Sequence, residues 1–507
     1  MAPKQPCAKY EYVLTSQGPK ILPVPEAHSR DEESPADYNQ GGYLQVKVRD
    51  TFKDGRYTVV RKLGWGHFST VWLVKDHHEN RHSALKVVKS AGRYAETARD
   101  EIKLLRQVMA ANPSHIGRNH IVSFLDSFTH APSVQQYGSV SSASAMNPDV
   151  HICIVFEPLG ENLLALIERY KQTGVPVPLV KIITKQVLLG LQYLHDECEL
   201  VHTDIKPENI MISIPDVEGH IQAQLCTSPP PTSRKARQVQ IFDSQPLVSP
   251  STSSSWSSRS LFQSLTKLKE VSSTSGSCST HSKSPVEPSA PHFGADALST
   301  SPSPPTVSPS VSSTSSPTPC ATAPALPIHI KIADLGNATP IRKHYTEDIQ
   351  TRQYRAPEAI TGRSDWGDTA DVWSLACVVF ELLTAEYLFD PQSQGELFGK
   401  DDDHCAQIIE LLGAWPENVL WGGRYSREIF DSNGECHLRY IRNLKPWPLK
   451  RVMVEKYGWA EKDAAALCEF LLPMLDIDHF SRAHARDMVN HRWLEVDLED
   501  LQSAKDW

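Results

Sequence analysis

The sequence predicts an α+β fold of two lobes, a small β-rich lobe followed by a larger helical one that is interrupted by a disordered insertion. Three observations carry this. A glycine-rich hairpin pattern, Leu63-Gly-Trp-Gly-His-Phe-Ser-Thr-Val-Trp-Leu73, lies in a run of alternating strand patterns from Tyr57 to Val155 that contains one helical stretch. Helical apolar spacing from Leu179 to Cys198 leads into a polar loop, Leu200-Val-His-Thr-Asp-Ile-Lys-Pro-Glu-Asn-Ile-Met211. About 120 residues, dominated by Ser, Thr and Pro, then separate Asn209 from the apolar strand Ile330-Lys-Ile-Ala-Asp334.

Taken in order, residues 1–54 contain Pro and charge without periodicity and read as an extension with a few docked residues. Residues 55–158 form the first lobe, with 131–149 as a polar loop between two strands, and 159–215 begin the second. Residues 216–327, as in Thr300-Ser-Pro-Ser-Pro-Pro-Thr-Val-Ser-Pro-Ser310, hold too few apolar residues to offset chain entropy and are expected to be disordered. Their Ser-Pro sites suggest a regulatory or localising spacer, against a tolerated insertion without a role. Leu261-Phe-Gln-Ser-Leu-Thr-Lys-Leu268 is its one candidate for a transient helix or partner motif. The second lobe resumes at 328–495, and 496–507 is a tail.

The polar loop places a carboxylate (Asp204), an ammonium (Lys206) and a carboxamide (Asn209) at a spacing suited to phosphoryl transfer. That reaction needs an acceptor for a hydroxyl proton, a cation beside the migrating group and an oxygen ligand for Mg²⁺. A solvated turn can carry the same letters; the ordered elements on both sides argue against that reading. Small residues in the hairpin let backbone N–H groups approach a triphosphate, with Ser69 where a third glycine would stand and Val71 placed to pack on adenine. Lys86, in Ala84-Leu-Lys-Val-Val88, follows at a distance that suits a lysine on the α- and β-phosphates better than one snorkelling from an edge. Glu101 falls beside the helical stripe Ile102, Leu105 and Val108 and is preferred over Glu96 as its partner. Asp334, before Leu335 and Gly336, is the expected second ligand for Mg²⁺ with Asn209. Glu157-Pro-Leu159, after the strand His151–Phe156, is the expected adenine-binding backbone, with Phe156 guarding it. The expected ATP contacts are therefore Leu63, Gly64, Trp65, Gly66, His67, Phe68, Ser69, Val71, Ala84, Lys86, Glu101, Glu157, Leu159 and Asn209. Glu358 is expected to pair with Arg482, and Asp371 to bind the polar-loop backbone.

A formal charge of −9 disfavours nucleic acid as a direct partner and is compatible with a basic peptide. The 40% hydrophobic content suffices for a core, no apolar run is read as approaching the roughly 20 residues of a membrane span, and Met1-Ala-Pro-Lys-Gln-Pro lacks the apolar core of a signal peptide. Ten scattered cysteines without paired spacing argue for reduced thiols and no structural zinc, in a monomer expected in cytoplasm and nucleus.

The chain resembles the SR-protein kinases, which phosphorylate Arg/Ser-rich splicing factors. The resemblance rests on Gly64-Trp-Gly-His-Phe-Ser-Thr-Val-Trp72, Val201-His-Thr-Asp-Ile-Lys-Pro-Glu-Asn-Ile210, Ile349-Gln-Thr-Arg-Gln-Tyr-Arg355, Leu444-Lys-Pro-Trp447 and Phe470-Leu-Leu-Pro-Met-Leu475, with a long spacer splitting the domain. It covers about 55–215 and 328–495. It implies a bilobal protein-kinase fold with Asp204 as catalytic base, Lys86 as phosphate lysine, and Asn209 with Asp334 as metal ligands. Ala356-Pro357 and the proline-free Asp478-His-Phe-Ser-Arg482 depart from the group's pattern. A pseudokinase scaffold and a Cdc2-like dual-specificity kinase are the alternatives; the complete residue set weighs against the first, and Thr203 with the spacer position against the second. Lys400-Asp-Asp-Asp403, Glu410, Asp431 and Glu435 fall where the group builds an acidic docking groove, and Arg352 and Arg355 would receive a phosphoserine from the previous cycle.

Overall fold

The computed structural model describes residues 10–15, 18–23, 33–131, 149–227, 327–431, 438–497 and 500. A two-stranded hairpin, β1 (Tyr10–Thr15) and β2 (Gly18–Pro23), precedes the first lobe. That lobe is a six-stranded antiparallel sheet of β3 (Thr51–Phe52), β4 (Tyr57–Gly66), β5 (Ser69–Asp76), β6 (Arg81–Val88), β7 (Phe124–His130) and β8 (His151–Phe156), in the order β3-β4-β5-β6-β8-β7. Val, Ile, Thr and aromatic residues suit these strands to a half-buried pleated surface. One face buries Phe52, Tyr57, Val59, Trp72, Leu85 and Val155 in a common core that Leu44 of the preceding segment joins. Register shifts between Val59 and Arg61 and between Lys62 and Gly64 bend β4 just before the glycine hairpin. Helix α1 (Gly92–Ala110) buries the expected stripe of Ile102, Leu105 and Val108, and Glu101 is buried beside it.

The second lobe begins with α2 (Leu163–Arg169), N-capped by Asn162, whose Oδ1 accepts the Ala165 N–H at 3.0 Å. The core helix α3 (Val177–Gln192) starts with proline in its first turn and leads towards the polar loop. With its continuation to Glu197 it is long and apolar enough to cross a bilayer by composition, contrary to the sequence expectation. Two-thirds (67%) of its most apolar 18-residue window is buried inside the lobe, as a core helix requires. Two short strand pairs frame the site: β9 (Leu200–Val201) with β12 (Thr339–Pro340), and β10 (Ile210–Ile212) with β11 (Ile330–Ile332).

The insertion was expected from residue 216. Instead the chain continues as α4 (Val217–Thr227), and Glu218 docks on the first lobe. Its carboxylate accepts the His82 backbone N–H at 2.5 Å, contacts His82 Nδ1 at 2.8 Å and lies 3.8 Å from Lys75 Nζ. Residues 228–326, including Leu261–Leu268, lie outside the described residues, as do most of the 131–149 loop and Glu435.

After α5 (Pro357–Thr361), the helix α6 (Thr369–Thr384) is buried along nearly its whole length. Glu358 and Arg482, both fully buried, form a bidentate pair at 2.7 and 2.8 Å, and Arg482 also donates to the Asp476 and Thr369 carbonyls. Burial alone would raise the Glu358 pKa; Arg482 holds it below the usual carboxylate value. Helix α7 (Lys400–Leu412) carries the expected acidic run at its start.

Candidate active site

The site lies where the sheet, α1 and the polar loop converge. In register, Val71 faces Gly64 across the β4–β5 hairpin and Lys86 across β5–β6, while Ala84 pairs with Phe156 at the end of β8. Gly66 and Ser69 pair at the tip, with His67 and Phe68 between them. Lys86 Nζ donates to both carboxylate oxygens of Glu101, at 2.8 and 2.9 Å, and lies 3.6 Å from Asp334 Oδ1. Burial acts to lower the Lys86 pKa, but Glu101 and Asp334 together hold it above the ordinary lysine value. Asp334 follows the β11 strand in left-handed backbone (φ 60°), an unfavourable conformation for a non-glycine residue that its surroundings must hold. About half of its side chain (49%) is exposed. Enclosure would raise its pKa, yet Lys86, His202 and Lys206 keep it depressed.

The polar loop is fixed from beneath. Asp371, buried at the start of α6, accepts the His202 and Thr203 N–H groups at 2.7 and 2.9 Å and contacts His195 Nε2 at 2.9 Å. His202 in turn bonds the Ala333 carbonyl, linking the loop to the residue before Asp334. Asp204 Oδ2 accepts from Lys206 Nζ at 2.7 Å and from Asn209 Nδ2 at 3.2 Å. Asp204 Oδ1 accepts the Thr351 hydroxyl at 2.7 Å, and Lys206 also donates to that hydroxyl oxygen at 3.0 Å. Thr351 is thus a member of the site that the sequence reading quoted in a motif without singling out. Leu63, Gly64 and Trp65 lie on β4 leading to the hairpin tip, and Glu157-Pro-Leu159 follows β8. The Glu157 carboxylate is turned to the Ser123 N–H and Lys331, so only its backbone is available to a ligand.

Most carboxylates of the expected acidic docking groove have partners within the chain. Asp402 accepts the Gly399 N–H at 2.8 Å, and Asp403 accepts from the Gln392 N–H and Gln407 Nε2, each at 2.8 Å. Glu410 accepts the Lys445 N–H at 2.7 Å. Asp401 pairs with Arg352, and Arg355 with Asp348 and the Gln350 carbonyl. The recess here, about 490 Å³, mixes Asp401, Asp402 and Glu428 with Arg427, Arg439 and Tyr440.

The sequence pattern of the family described as "Protein kinase domain" matches residues 57–223 and 325–494, more than half of the chain. Protein kinase dsk1 of Schizosaccharomyces pombe is 42% identical over 494 residues, spanning 91% of this chain and 85% of its own. Human SRSF protein kinase 3 is 39% identical over 570 residues, spanning 96% and 94%. The chain belongs to the protein kinase family, in its SR-protein kinase group. It is a serine/threonine protein kinase with the domain split by a spacer. A solved crystal structure, the kinase domain of PF14_0431, superposes with a TM-score of 0.56 at 22% identity, covering 89% of this chain and 99% of its own; it supports the fold.

A protein kinase uses ATP and a divalent metal, and the donor set fits a hard cation. Asp334 supplies a depressed, half-exposed carboxylate. The Asn209 amide nitrogen is committed to the Asp204 carbonyl and carboxylate, which leaves the amide oxygen as the atom able to ligate.

Proposed function

We propose that this kinase transfers the γ-phosphoryl group of MgATP to serines in Arg/Ser-rich segments of splicing-factor-like proteins, and so acts on mRNA processing. The observation that carries the reading is the Asp204 carboxylate, held by Lys206, Thr351 and Asn209 at the base of the cleft that contains paired Lys86 and Glu101. Asp204 accepts the serine hydroxyl proton; a carboxylate oxygen takes more than one hydrogen bond, so the Thr351 hydroxyl can keep orienting Oδ1 as substrate enters. Lys206 stays beside Asp204 and neutralises charge on the transferred group. Lys86, oriented by Glu101, holds the α- and β-phosphates under the Gly64–Ser69 backbone. Because the Glu157 N–H already donates to the Ser123 carbonyl, adenine is read by the Glu157 carbonyl and the Leu159 N–H. Bound between Asp334 and Asn209, Mg²⁺ would offset the negative charge of the β- and γ-phosphates.

The preference for arginine has support beyond the relatives' names. Glu208, in the polar loop, is pushed up in pKa by burial, and its Oε2 is buried without a hydrogen-bond partner. It is electrostatically coupled to Glu381, whose pKa burial raises to about 8. A substrate guanidinium would pair with the Glu208 carboxyl and satisfy its free oxygen. At the α7 recess Asp401 and Glu428 offer carboxylates to a longer basic strand, in exchange for their present neighbours Arg352, Arg427 and Arg439. The kinase works as a monomer, distributed between cytoplasm and nucleus. Phosphate transfer to an Arg-Ser repeat peptide, compared with a generic basic protein and an acidic one, tests the reading. Preference for the acidic protein would refute it.

A further inference from the structure

The glycine hairpin is gripped from outside the sheet strands by residues 33–44 of the extension. Lys62 of β4 pairs with buried Glu33, which also accepts the Tyr38 hydroxyl. The Gly41 and Gly42 carbonyls accept the Ala91 and Ser90 N–H groups, at 3.0 and 3.2 Å, immediately before α1. This close path needs glycine: Gly41 has φ +83°, and a Cβ on Gly42 would fall 1.9 Å from the Asp37 carbonyl oxygen. Immediately after the second attachment Tyr43, only 3% exposed, donates its hydroxyl to the Gly66 carbonyl at the hairpin tip, at 2.6 Å. Lys89 completes the arrangement. Its Nζ sits 4.1 Å from the Tyr43 ring centroid and 3.7 Å from Asp37, while its backbone N–H donates to the Phe68 carbonyl at 2.9 Å.

Packing alone does not require this hydroxyl. The Tyr43 ring is already held over Lys89, and Leu44 enters the sheet core. The phenol reaches instead to the one segment whose backbone would cradle phosphate. We propose that Tyr43 is a positioning residue for the glycine hairpin, fixing the Gly66 carbonyl so that hairpin and α1 are set in place before nucleotide arrives. The proposal rests on the nucleotide lying under Gly64–Ser69, as read above. A pre-set hairpin needs less ordering when ATP binds. The same strap couples the hairpin to the helix that presents Glu101 to Lys86.

The test uses the full chain with Tyr43→Phe, which keeps the ring and removes the hydroxyl. Loss of one such hydrogen bond is expected to raise the KM for ATP roughly 3- to 10-fold. The KM for peptide should stay at its wild-type value, and the thermal midpoint should fall by no more than one lost hydrogen bond accounts for, roughly 2–4 °C. Backbone hydrogen exchange over 63–69 should quicken without nucleotide and return to the wild-type rate when an ATP analogue saturates. Lys89→Gln, which removes the cation over the ring, should move the ATP KM in the same direction, and Lys89→Arg should restore it. Unchanged ATP KM and exchange in Tyr43→Phe overturns the proposal. So does a fall in thermal midpoint with ATP and peptide constants moving together, which marks a merely structural tyrosine. Wild-type protein that fails to use ATP would instead overturn the nucleotide placement on which the proposal rests.

Discussion

The Thr203 hydroxyl donates to the Asn337 carbonyl at 2.8 Å, tying the residue before Asp204 to the start of the segment from Asn337 to Gln350 that borders the site. The Thr203 carbonyl accepts the Gln350 N–H at 3.0 Å, so the same residue also holds the segment's far end. A kinase with arginine at this position buries a cation that a phosphorylated loop residue must neutralise. Threonine imposes no such requirement. Phosphatase-treated protein made in bacteria is therefore expected to be active, and Thr203→Val to lose roughly fivefold in kcat with the hydroxyl bond. Inert protein that recovers only after an upstream kinase acts would refute this.

The Glu381 carboxyl accepts the Tyr354 hydroxyl at 2.7 Å, and burial lifts its pKa to about 8 from the ordinary 4.5. The folded chain thus keeps a proton that the unfolded chain releases above about pH 4.5. Between these values the folded state binds more protons, so this group's contribution makes stability fall as pH rises from about 4.5 through 8. Thermal midpoints measured across that window should decline less in Glu381→Gln than in wild type. An identical slope in both proteins would show that Glu381 is ionised in the fold.

Glu218 separates two kinds of spacer deletion. Ile212 and Ile330 are paired in β10–β11, so a short turn closes the chain when α4 is removed with the insertion, whereas a deletion that keeps α4 (Val217–Thr227) needs a flexible linker from its end back to 327. Removing 228–326 is expected to leave peptide phosphorylation near wild type while changing partners or distribution in the cell. Removing 217–326 also takes the Glu218 contacts to His82 and Lys75, and should lower the thermal midpoint by roughly 2–4 °C. Equal behaviour of the two deletions would show that α4 contributes nothing to the first lobe.

The residues legible in the sequence are those whose chemistry is contiguous. Asp204, Lys206 and Asn209 occupy one loop, and the stripe of α1 pointed to Glu101 beside Lys86. Sequence reading did not find partners that meet across long separations through polar groups. Thr351 reaches Asp204 from 147 residues away, and Glu218 reaches His82 from 136. α4 docks through a carboxylate, so no apolar period announced it. The strap at 33–44 works through two glycine carbonyls, the Tyr43 phenol and the carboxylates of Glu33 and Asp37, which leaves an unpatterned segment. Asp402 had a readable signal: it stands three residues after Gly399, where a carboxylate binds the N–H at a helix start.

Asp401 is the residue of the α7 run on which docking should be tested. Asp402 and Asp403 hold backbone and Gln407, so replacing all three aspartates would also disturb the helix start. Asp401→Asn is expected to raise the KM for a long Arg-Ser substrate roughly two- to fivefold, with a short peptide unaffected. An equal response of long and short substrates, or none, places docking elsewhere.

Asp204→Asn is the most direct test of the account. The asparagine keeps the shape but has no charge and does not accept the serine proton. Radiolabelled transfer from ATP to an Arg-Ser peptide should fall roughly 10²- to 10⁴-fold, with ATP still bound at near wild-type affinity through Lys86 and Asp334. Near-normal turnover by Asp204→Asn would contradict the assignment of Asp204 as the catalytic base.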